Sequence, residues 1–197
     1  MSLKKIDEQL KNIRDKVVEC KKCSLFKTRT LPVVGQGSHQ AKVVLVGEAP
    51  GSNEDKTGIP FCGAAGAILD ELLDSISYKR EDVYICNILK CRPPSNRNPK
   101  SDEIKACTPY LEEQFQAIKP KVIGSLGNYA TTYILEKYGE KEVQSIGQIH
   151  GRVFKIKTDF GLIKIIPLYH PATVVYNRNM IEILKSDFKI LKKYNEK

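Results

Sequence analysis

The sequence predicts an α/β fold: a three-layer α/β/α sandwich around a central, mainly parallel sheet. Two observations predict it. From about residue 42 onward, short apolar runs of strand character alternate with stretches of helical periodicity, the element order that buries a parallel sheet between helices. The segments densest in Gly, Pro, Asn and Arg come after strands, and in such sheets sites form beyond the carboxyl ends of the strands.

The elements follow in order. Residues 3–18 repeat apolar positions at Leu3, Ile6, Leu10, Ile13 and Val17, which is helical spacing. A cysteine-bearing loop precedes a buried strand at 42–46 and a Gly- and Pro-rich loop at 47–63. A helix is expected over 64–75, a second strand over 83–88, and a loop rich in Pro, Asn and Arg over 91–100. Ser101 is the expected N-cap of a helix reaching Ile118, with Asp102 and Glu103 facing its positive end. A third strand (121–125), a helix (128–138), a hairpin of 153–157 with 162–168, and a helix over 178–194 complete the pattern. With 197 residues, 41% of them hydrophobic, the chain is long enough for one domain with a real core, expected to span 1–197.

Composition narrows the class of function. Lys and Arg number 32 against 23 Asp and Glu, a net charge of +9. Such an excess favours a polyanionic partner through counterion release, although many of these lysines serve only to solubilise helices. No apolar run is long enough to predict a membrane span. The amino-terminal twenty residues are charged throughout, so a cytoplasmic protein is expected. Nothing demands more than a monomer. Abundant Lys, Ile and Glu without Trp fit a warm-living source.

Six cysteines in such a protein argue for metal or redox use over a disulfide framework. Cys20 and Cys23 form a C-x-x-C pair whose thiolates can share one centre; a redox pair is the competing reading. Cys91 and Cys107 would complete a four-thiolate set suited to zinc or to an iron–sulfur cluster. Cys86, in an apolar strand, and Cys62, in a tight loop, read as small structural residues. Spacing alone does not choose Cys91 and Cys107 over these two.

Three loops carry the chemistry. The first reads Gly47-Glu48-Ala49-Pro50-Gly51, continues through Asn53-Glu54-Asp55, and ends in Pro60-Phe61-Cys62-Gly63. Small residues after a buried strand let a ligand approach the backbone, and no G-K-[ST] follows to make a phosphate loop. The second is Asn87-Ile88-Leu89-Lys90-Cys91-Arg92-Pro93-Pro94, and the third His170-Pro171-Ala172.

Together G-E-A-P-G, P-F-x-G, N-x-x-K-C-R-P-P and H-P-A, in this order and behind a C-x-x-C, resemble the family 4 uracil-DNA glycosylases. The resemblance runs from about Cys20 to the final helix. It implies the sandwich fold of that superfamily, excision of uracil from single- or double-stranded DNA at the start of base excision repair, and a [4Fe–4S] cluster on Cys20, Cys23, Cys91 and Cys107. It also implies that Phe61 stacks on the flipped base, that Asn87 reads its edge, and that His170 approaches the pyrimidine O2. Gly47, Ala49, Pro50 and Gly51 would line the pocket around the scissile bond.

The chemistry needs these residue types. An Asn amide accepts from uracil N3–H and donates to O4, whereas cytosine presents the reverse pattern. A histidine donor stabilises charge developing on O2; a core histidine capping a helix is the plainer alternative for His170. His39 and His150 have no such context and read as surface or loop residues. In the best-known superfamily branch an aspartate occupies the third position of the first motif, where this chain has Ala49. The water-positioning group is therefore open among Glu48, Glu54 and a backbone carbonyl, and Glu48 is the choice made here. For DNA, Arg92, Arg97, Lys100 and Arg178 are candidate phosphate contacts, Tyr176 a candidate wedge, and Ser125 with Asn128 opens a helix whose amides suit a phosphate. Three rival readings remain: a cluster-bearing binding or redox module without glycosylase activity, a glycosylase with another damaged-base range, and a zinc-stapled version of the same enzyme.

Overall fold

In the computed structural model, which describes residues 2–195, the first apolar repeat forms α1 (Leu3–Val18) and buries Ile6, Leu10, Ile13 and Val17. Leu3, the outermost member of that repeat, stays exposed. The chain then runs through β1 (Gln36–Gly37), β2 (Val43–Gly47), α2 (Ser52–Thr57), α3 (Ala64–Asp74), β3 (Tyr84–Asn87), α4 (Ser101–Ile118) and β4 (Val122–Leu126). It continues with α5 (Asn128–Lys137), α6 (Ile146–Ile149), β5 (Phe154–Thr158), β6 (Gly161–Leu168), α7 (Ala172–Tyr176) and α8 (Ile181–Asn195).

The described strands form one sheet in the order β1-β3-β2-β4-β6-β5. The four central strands are parallel, and the short β1 and the β5 hairpin strand close the two edges antiparallel. Strand alternation divides the core. Val44 and Val46 of β2 face α1, α4 and α5, where Leu111, Phe115 and Ile134 are buried. Val43 and Leu45 face α3 and α8, where Leu69, Leu72, Leu184 and Phe188 are buried. Each such side chain contributes about 1.5–3 kcal/mol when removed from water. The central strands are buried on both faces, which explains their unbroken apolar runs.

Three details differ from the sequence reading. Ser101 is not the cap of α4: the helix begins there, and the preceding Lys100 N–H donates to the Glu103 carboxylate at 2.9 Å. The last helix is broken, with α7 and a 3-10 turn at Arg178–Met180 preceding α8. The Gly- and Pro-rich first loop contains α2, and β1 is too short to leave a periodic signal. The expected span 1–197 runs past both ends of the described residues.

Candidate active site

The topology creates a crevice at the carboxyl edge. From the central β2 the chain moves to β3 on one side, then returns to β4 and β6 on the other, and ligands bind where strand order reverses in this way. The terminal residues of β2 and β3, Gly47 and Asn87, are register partners. On the far side Gly127 N donates to Leu168 O at 2.8 Å, which brings the turn after β4 against the segment holding His170. A cavity of about 400 Å³ opens here, lined by Glu48, Ala49, Pro50, Gly51, Glu54, Phe61, Asn87 and His170, with Pro93, Asn96 and Arg97 at one side. The three loops singled out by sequence therefore meet in one place.

Asn87 is only 2% exposed and forms part of the cavity wall. Its backbone is held, because Lys90 Nζ donates to Asn87 O at 2.9 Å. Gly47 must be glycine: a Cβ there would lie 2.3 Å from Asn87 Oδ1 and 2.8 Å from Phe61 Cζ. Phe61 takes a left-handed backbone conformation with φ +52°, and its ring stacks near that of His170, centroids 5.5 Å apart and planes 28° apart.

His170 follows β6 and is partly buried. The Ala172 N–H donates to His170 Nδ1 at 3.1 Å, so in the neutral imidazole the proton sits on Nε2. Burial pushes its pKa down to about 4, with Glu54 opposing. The Leu89 N–H donates to the Glu48 backbone carbonyl at 3.0 Å, and burial alone raises the Glu48 carboxyl above the usual range. Glu54 differs: its Oε1 accepts from the Cys62 and Gly63 amides at 3.1 and 3.3 Å. That leaves Glu48 as the cavity carboxylate that does not hold this turn.

A second cavity lies behind the Asn87 loop. Cys20, Cys23, Cys91 and Cys107 line it together with Val17, Phe26, Arg29 and Tyr110. Cys86 is buried in β3 apart from it, and the exposed Cys62 lies 3.2 Å from Thr57 Oγ1. Arg29 Nη1 donates to Cys91 Sγ at 3.1 Å and the Lys90 amide to Cys107 Sγ at 3.2 Å, contacts that suit thiolate more than thiol. Burial raises Cys23 and Cys91 and pushes Cys107 up to about 12, so these sulfurs remain protonated until a cationic centre replaces the protons. Four cysteine sulfurs in an otherwise largely apolar cavity make a donor set that suits an iron–sulfur cluster. Among the described residues no group of three or more His, Cys, Asp or Glu side chains is placed to hold a metal ion.

The candidate DNA contacts separate. Arg97 is tied in two hydrogen bonds, 2.6 and 2.9 Å, to Glu103, which is fully buried, so it anchors the loop and is not free for phosphate. Ser125 is also withdrawn: it is fully buried and its hydroxyl meets Thr131 Oγ1 at 2.9 Å. Asn128 is exposed at the start of α5, but its Oδ1 accepts from the Ile146 amide. Arg92 donates through Nε to Asn96, leaving its terminal nitrogens open, and Arg178 pairs with Glu71. Tyr176, at the end of α7, is 90% exposed. His150, read as a surface or loop residue, lies part-exposed in the turn after α6 and meets the buried Asp187 at 2.9 Å, and the part-exposed His39 meets Asp7.

The comparisons decide the family. A model described as the Uracil DNA glycosylase superfamily matches residues 34–197. The chain belongs to this superfamily. It is 46% identical to a protein of Sulfurisphaera tokodaii named type-4 uracil-DNA glycosylase, over 92% of this chain and 83% of that protein. A protein of the same name from Archaeoglobus fulgidus is 45% identical over 92% and 91%, and one from Thermotoga maritima 42% over 88% and 86%.

Sequence reasoning missed two buried residues that support the Asn87 loop. Lys90 is 1% exposed and bonds Asn87 O and Gln114 Oε1; it stands inside N-x-x-K-C, but nothing in that pattern marks it as buried. Gln114 continues the network to Val34 O and Tyr84 Oη from mid-helix, with no sequence signal at all.

Proposed function

We propose that the protein is a monofunctional uracil-DNA glycosylase that hydrolyses the N-glycosidic bond of a flipped-out uracil and so starts base excision repair. One observation carries the reading: Asn87, only 2% exposed, stands at the wall of a cavity shared with Phe61 and His170. An Asn amide offers one acceptor and one donor group, and uracil offers the matching donor and acceptor.

The steps follow from what each side chain can do. Extruding the nucleotide costs roughly a few kcal/mol, and stacking on Phe61 returns about 1–3 kcal/mol. As the C1′–N1 bond breaks, the sugar becomes oxocarbenium-like and uracil leaves as an anion. His170, neutral with Nε2–H free, donates toward O2 and holds that charge without transferring a proton. Glu48 orients the water that attacks C1′ and takes its proton. Burial raises its carboxyl above the usual range, which strengthens it as a proton acceptor. Ala49, Pro50 and Gly51 bring backbone against the sugar, while Gly47, absent from the cavity lining, packs behind it against Asn87 and Phe61.

Cys20, Cys23, Cys91 and Cys107 hold a [4Fe–4S] cluster, which when bound supplies a cross-link between the N-terminal segment (1–30) and the loop after Asn87, making 1–197 one domain. DNA crosses the mouth of the cavity, where Arg92 and the first amides of α5 meet phosphate. Tyr176, on the helix that follows His170, fills the gap left by the base.

The test is an oligonucleotide carrying one uracil, incubated with cluster-loaded protein and then treated with alkali. Scission at uracil only, and only after alkali, is expected. Intact strands in every pairing context overturn the reading.

A further inference from the structure

The aromatic wall of the cavity is set by a residue outside it. We propose that Arg80 is a positioning residue that holds Phe61 in the geometry needed to stack on the base, an inference that rests on the reading of Phe61 given above.

Phe61 sits at φ +52°, a region that bulky L-residues occupy only when the surroundings impose it. Arg80 supplies that constraint. Its Nη1 donates to Pro60 O at 3.0 Å and its Nη2 to Phe61 O at 2.5 Å. In an extended chain successive carbonyls point to opposite sides; here two in a row point at one cation. A guanidinium that binds both therefore selects the compact conformation at Phe61 and excludes the extended one. The next two amides, of Cys62 and Gly63, point together at Glu54 Oε1. The turn is thus gripped by a cation on its carbonyl side and an anion on its amide side.

The guanidinium is itself aimed. Nε donates to Asp70 of α3 at 2.6 Å. One turn earlier in the same helix stands Gly66, where a Cβ would lie 1.7 Å from Phe61 O, so only glycine lets α3 approach closely enough. Arg80 opens the 3-10 turn (Arg80–Asp82) that leads into β3, and β3 ends at Asn87. One residue thereby references the stacking ring to the strand that carries base recognition. Lysine cannot do this, because one ammonium has no planar fork to span two carbonyls and a carboxylate.

The experiment is a double-mutant cycle. Cluster-loaded proteins with Phe61 or Phe61→Ala, each with Arg80 or Arg80→Met, bind DNA containing one non-hydrolysable 2′-fluoro-2′-deoxyuridine and the same DNA with thymine. The uracil-to-thymine affinity ratio is the readout, with thermal unfolding in parallel. Arg80→Met is expected to lower the ratio about tenfold beside Phe61 and less than about twofold beside Phe61→Ala, the non-additivity of residues acting as a unit. Equal losses in both backgrounds, or no loss beside Phe61, overturn the inference. Phe61→Ala alone leaving the ratio unchanged overturns the reading of Phe61 and this inference with it, which separates the two failures. Arg80→Lys, which retains the charge beside Asp70, carries the same cycle and the same expectations where Arg80→Met does not fold.

Discussion

The Ala172 N–H donates to His170 Nδ1 at 3.1 Å, and this one bond decides which imidazole nitrogen faces the cavity as a donor. The same bond opposes protonation, because a cationic ring would turn an N–H against an N–H. Burial acts in the same direction, taking the pKa from 6.5 down to about 4. The excision rate should therefore show no limb attributable to His170 near pH 6.5. Nitrogen NMR of the ring should report a neutral Nε2–H form at pH 6. His170→Ala should cost about 10²–10³ in single-turnover rate, the usual effect of removing one preorganised donor. Since the folded pKa lies below the unfolded one, the unfolded chain binds more protons between pH 6.5 and about 4. The stability that His170 contributes is complete above that window and is lost as pH falls through it, which denaturant midpoints across pH will show.

Glu48 carries the opposite sign. Its carboxyl is raised by burial, so the ionised form opposes folding: its stability contribution is present at low pH and lost as pH rises through the folded value. Glu48→Gln should raise the unfolding midpoint at neutral pH while abolishing the acid limb of the excision rate. Comparable excision by Glu48→Gln and wild type would remove Glu48 from the chemistry.

Gly47→Ala should separate the site from the fold. The added Cβ would meet Asn87 Oδ1 at 2.3 Å and Phe61 Cζ at 2.8 Å, and displacements of this order cost about 10²-fold in rate. Single-turnover kinetics should show that loss, with circular dichroism and bound iron unchanged.

Removing the cluster should loosen the N-terminal segment first. Arg29 joins the carbonyls of Val17 and Val18, at the end of α1, to Cys91 Sγ. Chelation, or Cys107→Ser, should bleach the visible absorbance and raise amide exchange in α1 and in the loop after Asn87, while the strands of the central sheet stay protected. Uniform exchange across the sheet would contradict a staple role.

Much of this arrangement was legible in sequence because its signals are local. The buried parallel strands read as apolar runs, α1 as a repeat of Ile6, Leu10, Ile13 and Val17, and the loops as Gly, Pro and Asn in company. What was not legible depends on distant partners. Arg97 looked like a phosphate contact because a loop arginine gives no sign that Glu103 is buried beneath it. Ser125 looked accessible because strand-end burial depends on Thr131 of the following helix. The partner of the loop residue His150 was equally silent, because Asp187 lies 37 residues away. Arg80 and Lys90 were silent for the same reason: lysines and arginines are mostly exposed, and only the fold reveals the carbonyls that hold these two in place.

The most direct measurement compares excision of uracil and of cytosine from otherwise identical oligonucleotides by wild-type protein and by Asn87→Asp. In the proposed role the amide at Asn87 accepts from N3–H and donates to O4; a carboxyl at the same place would pair instead with the cytosine edge. Wild type should release uracil and leave cytosine untouched, and Asn87→Asp should lose uracil excision by orders of magnitude while gaining measurable cytosine release. An Asn87→Asp protein that keeps the wild-type rate and selectivity, or a cluster-loaded wild type that releases neither base, would contradict the account.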